Sequence, residues 1–208
     1  MKNTLLIKVC GLRDEKNIQA VSSLNPNFMG FIHYPKSKRF VGADFELPKS
    51  IPSSIAKVAV LVNEPIEKAV QIYQKGYQYL QLHGNEMPEY CKELQQKNSK
   101  LIKAFGVSET FDFSILNDYL PFVEYFLFDT QTPIHGGSGI KFNWDILQNY
   151  KFNKPFLLSG GITKEDAQTL LEFQHPQLIG VDINSGFELS PALKNIADLE
   201  EFFEKLRR

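Results

Sequence analysis

The feature that most restricts the fold of this chain is a regular alternation of short apolar runs with amphipathic stretches. The runs are rich in Val, Ile, Leu and Phe and mostly lack strict polar alternation, which is typical of parallel strands covered by helices. We therefore predict eight strands, at residues 5–10, 28–32, 56–62, 79–83, 101–105, 123–129, 155–159 and 178–182.

Helix-like segments separate these strands. We predict helices at residues 14–22, 64–75, 86–97, 167–173 and 198–208, and weaker helices at 44–48, 112–119 and 143–148. Such alternation fits either a doubly wound sheet or a closed (β/α)8 barrel, and the count of eight favours the barrel. Because no linker or change in composition divides the chain, we expect residues 1–208 to form one domain.

Composition narrows the functional classes. The formal net charge is -1 and the pI is near 6.4, so no basic surface for nucleic acid or an anionic membrane is indicated. No apolar run approaches the roughly 20 residues that span a bilayer, and the first residues do not resemble a signal peptide. Two cysteines imply no disulfide framework, so we expect a cytoplasmic protein with free thiols.

Two potential proton-transfer groups close predicted strands. Cys10 ends the first apolar run and Asp129 ends the sixth. In a parallel barrel both would lie at the carboxyl-terminal edge, where such folds bind ligands. Each residue alone has a simpler interpretation, since Cys10 could be a small buried hydrophobe and Asp129 could cap a turn. Cys91, within a helical segment, is predicted to be structural.

Glycine-containing turns follow the last two predicted strands and indicate a phosphate site. Gly160 and Gly161 follow strand seven, and Ser185 and Gly186 follow strand eight. Glycines let backbone N–H groups approach an anion, and barrels often hold phosphate between these two loops. Ordinary turn chemistry is the alternative for either loop alone.

Further candidates are Arg39, His83 and Lys8. Arg39 lies in a basic loop after strand two; it could grip a carboxylate, although composition alone favours a solvated loop. His83 ends strand four and could line the pocket, while the four histidines show no metal-ligand spacing. If Cys10 points inward, so does Lys8, and a buried lysine predicts a salt bridge to an inward acid such as Asp129 or Asp182.

Together these segments resemble the phosphoribosylanthranilate isomerase family of tryptophan biosynthesis over nearly the whole chain. The motifs occur in the family's order, and together they are specific. They are Lys8-Val9-Cys10-Gly11-Leu12, Gly30-Phe31-Ile32 with Tyr34-Pro35-Lys36-Ser37 and Arg39, Gln81-Leu82-His83-Gly84, Phe128-Asp129-Thr130 with His135-Gly136-Gly137-Ser138-Gly139 and Phe142-Asn143-Trp144, Leu158-Ser159-Gly160-Gly161-Ile162, and Gly180-Val181-Asp182 with Ser185, Gly186 and Glu188.

The resemblance implies an Amadori rearrangement of a small phosphorylated substrate without metal or cofactor. It implies Asp129 as general acid, Cys10 as general base and Arg39 at the substrate carboxylate. It also implies phosphate binding by the two glycine loops and a sugar pocket lined by Asp182. In one departure, Pro191-Ala192-Leu193-Lys194-Asn195 stands where the family often has Pro-Gly-x-Lys-Asp. In another, Asn184 stands where a small residue is usual.

The sequence leaves two other functions and two assembly states open. A sugar-phosphate epimerase or aldolase could use a similar barrel, but the sequence offers neither a metal cluster nor a lysine at a strand end for a Schiff base. A phosphate-ligand-binding barrel without catalysis would not need both the acid and the base. The sequence leaves monomer and homodimer as equal alternatives.

Overall fold

The eight predicted strands close into a barrel. The computed structural model describes residues 4–131 and 141–207. Each strand pairs in parallel with the next along the chain, and β8 pairs with β1 to close the barrel. The strands are β1 (Leu6–Val9), β2 (Phe28–Ile32), β3 (Ala56–Leu61), β4 (Tyr79–Leu82), β5 (Leu101–Val107), β6 (Tyr125–Thr130), β7 (Phe156–Leu158) and β8 (Leu178–Ile183). The predicted (β/α)8 barrel is confirmed, and the doubly wound alternative is wrong.

Helices of two kinds cover the outside of the barrel. The α-helices are α1 (Glu15–Ser23), α2 (Ile66–Gln74), α3 (Pro88–Gln96), α4 (Ala167–Glu172) and α5 (Ile196–Arg207). The weaker helices predicted at 112–119 and 143–148 are 3-10 helices, Phe113–Tyr119 and Trp144–Asn149. A capping box precedes α4 at Thr163, with Asp166 accepting from the Thr163 N–H at 2.7 Å.

The helix predicted at 44–48 is wrong. That segment has no helix, because Pro48 and Pro52 supply no N–H donors to continue one. Phe45 instead packs on Phe31 of β2, with ring centroids 5.5 Å apart. The connection after β2 therefore covers the barrel with side chains from an irregular segment.

Side-chain alternation divides the strands into two apolar layers and a polar end. Outward residues pack beneath the helices in the larger core. Inward residues fill the barrel with an apolar plug that consists of Phe28, Val58, Ile102, Ala104, Leu127 and Leu157. Tyr79 and Tyr125 pack on Phe28 with ring centroids 5.8 and 6.3 Å from it. Many of the inward positions that follow are polar, and the plug forms the floor of a cavity at the carboxyl-terminal edge.

A small hairpin that the sequence did not predict follows β8. Its strands are β9 (Glu188–Ser190) and β10 (Leu193–Lys194), paired antiparallel. Ala192 in the turn has φ of 69°, in the left-handed region that favours glycine. This is the position where the resembling family often has glycine. The hairpin brings Glu188 and Lys194 to the edge of the barrel.

Candidate active site

Every residue that the sequence placed in the site lines one cavity at the carboxyl-terminal edge of the barrel. These residues are Cys10, Arg39, His83, Asp129, Gly160, Gly161, Asp182, Ser185 and Gly186. They come from strands or loops on opposite sides of the barrel, which the strand order predicts. The glycine-rich connection at 131–139 lies almost entirely outside the described residues.

Cys10 lies beside a buried ion pair. Lys8 Nζ is 2.8 Å from Asp182 Oδ1, and both side chains are almost completely buried. The two residues are in register across β1 and β8, so their side chains enter the barrel side by side. The predicted salt bridge of Lys8 is confirmed, with Asp182 as its partner.

The charges of this pair act on the thiol. Burial raises the pKa of Cys10, Lys8 and Lys194 oppose that rise, and Asp182 adds to it. Burial also raises the pKa of Asp182, because Lys8 only partly compensates for the lost solvent. Burial alone would lower the pKa of Lys8, but attraction to Asp182 and Cys10 outweighs it and the pKa is raised.

Arg39 is held by a carboxylate of the chain itself. Its Nε donates to Glu188 Oε1 at 2.9 Å and its Nη2 donates to Oε2 at 2.7 Å. The side chain is only 12% exposed, so the solvated-loop interpretation is wrong. Glu188 occupies the Nε–Nη2 edge of the guanidinium, which leaves the Nη1–Nη2 edge for a second carboxylate.

Behind Glu188 lies Lys194, which sequence reasoning missed. Its Nζ is 2.7 Å from both Glu188 Oε1 and Asn184 Oδ1, and its side chain is buried. Burial raises the pKa of Glu188, but its bonds to Arg39 and Lys194 outweigh burial and the pKa is lowered. The only signal in the sequence was the resemblance, since the lysine belongs to the family stretch that is partly altered here.

Asp129 faces the cavity from β6, and among the described residues its Oδ1 accepts from the Thr130 N–H at 2.8 Å. Its Oδ2 is 3.3 Å from His83 Nε2, and its side chain is 18% exposed. Gln81 Nε2 lies 2.9 Å from His83 Nδ1, so a donating amide leaves the Nε2–H of a neutral His83 directed at the carboxylate. Sequence reasoning did not single out Gln81, although it occupies the inward position two residues before His83.

The two glycine loops contact each other. A Cβ at Gly186 would collide with the carbonyl oxygen of Ile162, and Gly160 adopts φ of 96° against Thr130 and Asp129. Within the part of the chain that the structure describes, the N–H groups of Gly161, Ser185 and Gly186 make no hydrogen bond. These donors are therefore available to an anion.

A closed (β/α)8 barrel with a thiol, a carboxyl group and backbone N–H donors in one cavity has the arrangement that is typical of a barrel enzyme. The model of the N-(5'phosphoribosyl)anthranilate (PRA) isomerase family matches residues 7–205. The chain therefore belongs to this family, whose members are isomerases of tryptophan biosynthesis.

Individual relatives agree with the family match. The chain is similar to N-(5'-phosphoribosyl)anthranilate isomerase of Parabacteroides distasonis, with 45% identity over 97% of this chain and 93% of the relative. It also resembles the crystal structure of phosphoribosyl anthranilate isomerase from Thermotoga maritima, with a TM-score of 0.79, 29% identity and 98% of each chain covered. A second structure with a similar fold is a phosphoribosyl anthranilate isomerase in complex with reduced 1-(o-carboxyphenylamino)-1-deoxyribulose 5-phosphate, with a TM-score of 0.75, 26% identity and 98% of each chain covered.

In residues 4–131 and 141–207, none of the helices has the length and apolar composition of a membrane-spanning segment.

Proposed function

We propose that this chain converts N-(5-phosphoribosyl)anthranilate into 1-(2-carboxyphenylamino)-1-deoxyribulose 5-phosphate by an Amadori rearrangement. The observation that carries the proposal is the cavity that Cys10 and Asp129 share with Arg39 and the two glycine loops. The reaction needs one acid, one base and sites for two anionic groups, and the cavity contains a candidate for each.

Substrate orientation follows from the charges of the cavity. The phosphate would accept hydrogen bonds from the loops that contain Gly160, Gly161, Ser185 and Gly186. The anthranilate carboxylate would bind the free edge of the Arg39 guanidinium, whose other edge is fixed by Glu188. The ribose between them would lie against His83 and Asp182, which face each other across the cavity. Two anchored ends place the reacting carbons between thiol and carboxyl.

The proposed chemistry moves two protons. Asp129 protonates the furanose ring oxygen, so the C1–O bond breaks and a Schiff base forms at C1. Cys10 then removes the proton from C2, and the resulting enolamine tautomerises to the ketone. The active forms are a carboxylic acid and a thiolate, whereas free Asp and Cys titrate near ~3.9 and ~8.5. The site must therefore favour the less abundant protonation states.

The role assignments are tested by Cys10→Ser and Asp129→Asn, with the decay of anthranilate fluorescence as the assay. Each variant should keep the circular dichroism of the parent and lose at least the ~10²–10⁴-fold that acid–base catalysis contributes. Cys91→Ser is the matched control, because Cys91 is buried in α3, away from the cavity. Near-normal turnover in either cavity variant would end that residue's assignment.

The same proposal covers the setting in which the enzyme acts. We infer one catalytic domain over residues 1–208, located in the cytoplasm, that acts as a monomer or a homodimer. Light scattering on the purified chain at several concentrations distinguishes the two assembly states. A limited-proteolysis fragment that retains the activity would contradict the single domain.

A further inference from the structure

Lys8 interacts with two side chains in the barrel interior, Asp182 and Cys10, and its salt bridge is to Asp182. Its ammonium is 2.8 Å from Asp182 Oδ1, and it also interacts electrostatically with the thiol of Cys10. Both groups flank Gly30 of β2, because a Cβ built there would lie 2.7 Å from Cys10 Sγ and 3.1 Å from Lys8 Nζ. The thiol and the ammonium therefore share the space that the missing side chain of Gly30 leaves open.

The absence of a side chain at Gly30 is a packing requirement. Gly30 is held against the loop by its carbonyl oxygen, which accepts from the N–H groups of Gly11 and Leu12 at 2.9 and 3.1 Å. Any larger residue would push Cys10 and Lys8 out of the interior corner between β1 and β2. Gly30 therefore fixes the positions of the Cys10 and Lys8 side chains relative to each other.

Charged groups from three strands act on the thiol, namely Lys8 of β1, Asp182 of β8 and Lys194 of β10. Behind them, Lys194 is paired with Glu188 of β9, which also binds Arg39 from the loop after β2. Arg39 and Lys194 share the single carboxylate of Glu188, so this trio keeps a net positive charge, and Lys194 also opposes the rise in the pKa of the thiol. Lys8 has one acidic partner, and that partner and the thiol compete for the same ammonium.

We propose that Lys8 is the positioning residue whose ammonium stabilises the thiolate of Cys10 against the cost of burial, and that Asp182 competes with the thiolate for that ammonium. This inference rests on the proposed role of Cys10 as the base. A substrate hydroxyl that donates to Asp182 would weaken the hold of Asp182 on Lys8. The ammonium would then be free to stabilise the thiolate when the substrate is in place.

Lys8 and Asp182 should shift thiol titration in opposite directions. The readout is the pH dependence of iodoacetamide alkylation at Cys10, measured on the full chain in a Cys91→Ala background so that one thiol remains. Lys8→Met should raise the thiol pKa by at least one unit, which slows alkylation near neutral pH about tenfold. Asp182→Asn should lower that pKa. Lys8→Arg should restore most of the parental value.

Lys103 supplies the matched control. It is also a buried lysine paired with a carboxylate, Glu86, at 3.1 Å, but it lies in the opposite wall of the barrel. Lys103→Met should leave the titration of Cys10 unchanged. A shift in Lys103→Met as large as that in Lys8→Met would overturn the assignment, because any lost buried pair would then produce it.

A second comparison keeps the test valid if Lys8→Met does not fold. In Asp182→Leu the acid is absent, so the additional change Lys8→Met leaves no buried carboxylate unpaired. The double variant should have a higher thiol pKa than Asp182→Leu alone, and equal values would refute the role of Lys8. This outcome is independent of turnover: Cys10→Ser tests the base itself, whereas alkylation tests what sets its charge.

Discussion

The cavity has two dissimilar halves. The thiol half contains Cys10 with Lys8, Asp182, Glu188 and Lys194, whose charges are buried and paired. The carboxyl half contains Asp129 with His83 and Gln81, and its carboxylate is partly exposed; among the described residues it lies near the His83 ring and accepts from the Thr130 N–H. Within the described residues, the thiol is therefore surrounded by more charged groups than the carboxyl group is.

Each side of the barrel contains a buried lysine–carboxylate pair, and the two pairs differ in their neighbours. Lys8–Asp182 adjoins the thiol, so its charges reach the proposed base. In the other wall, Lys103 donates to Glu86 and to the carbonyl oxygens of Leu82 and Gly84, which secures the loop after β4. The same kind of ion pair therefore lies beside a candidate reactive group at Lys8–Asp182 and stabilises a loop at Lys103–Glu86.

The largest effect should come from removing one partner of either pair. Lys8→Met and Lys103→Met should each reduce the free energy of unfolding by about 3–5 kcal/mol, because each leaves a buried carboxylate without its cation. Urea denaturation followed by circular dichroism measures this. The two variants should differ in the turnover number of the enzyme that remains folded, because only Lys8→Met should reduce it. Equal turnover losses would remove the distinction between the pairs.

The next largest effect concerns Arg39, whose guanidinium is paired with Glu188 in the thiol half. Arg39→Ala should raise KM by roughly 10- to 100-fold, the range expected for losing a hydrogen bond to a charged group, with little change in kcat. Glu188→Gln should raise KM less, because the guanidinium remains but its orientation is less strictly held. Steady-state kinetics measures both variants. An unchanged KM in Arg39→Ala would argue against carboxylate recognition by that residue.

A residue outside the cavity, His33, should make the stability of the protein depend on pH. This effect must be measured before the pH dependence of activity is assigned to either half of the cavity. Burial, with further contributions from Lys75 and Lys68, lowers the pKa of His33 from 6.5 to about 4. The unfolded chain therefore takes up this proton at higher pH than the folded chain, so stability present above pH 6.5 is lost as the pH falls towards 4. Between pH 7 and pH 5 we expect a loss of about 2 kcal/mol.

Urea denaturation at the two pH values checks this loss, with His33→Gln as the comparison. The variant should lose that much less stability over the same interval, since it cannot take up the proton. Equal pH dependence in both proteins would exclude His33 as the cause. Activity lost below pH 6 could then be assigned to the cavity.

The smallest effect is expected in the hairpin that carries Glu188 and Lys194. Ala192 is buried with φ of 69°, and its N–H donates to Glu188 Oε1 at 3.1 Å. Ala192→Gly should raise the free energy of unfolding by about 1 kcal/mol, because glycine adopts this backbone conformation without strain. Thermal denaturation checks it, with Ala167→Gly in α4 as a control of opposite sign.

Sequence reasoning predicted the carboxyl-terminal edge better than the surroundings of the site. Strand ends could be read from apolar runs, and side-chain alternation placed Lys8 beside an inward acid. The hairpin after β8 could not be predicted from the sequence. Its strand β10 has only two residues, and tertiary contacts rather than a local pattern pair it with Glu188 of β9. The irregular cover after β2 was missed because a single acidic residue before Phe45 resembles a helix start.

The register of Lys8 against Asp182 joins positions 174 residues apart, at the seam where the first strand meets the last. A growing chain on the ribosome would thus expose Cys10 early, without the partner of its neighbouring lysine, until the eighth strand arrives. Any circular permutant that keeps this seam should retain the local chemistry. A shortened chain that ends before β8 should have neither a closed barrel nor this arrangement of charges.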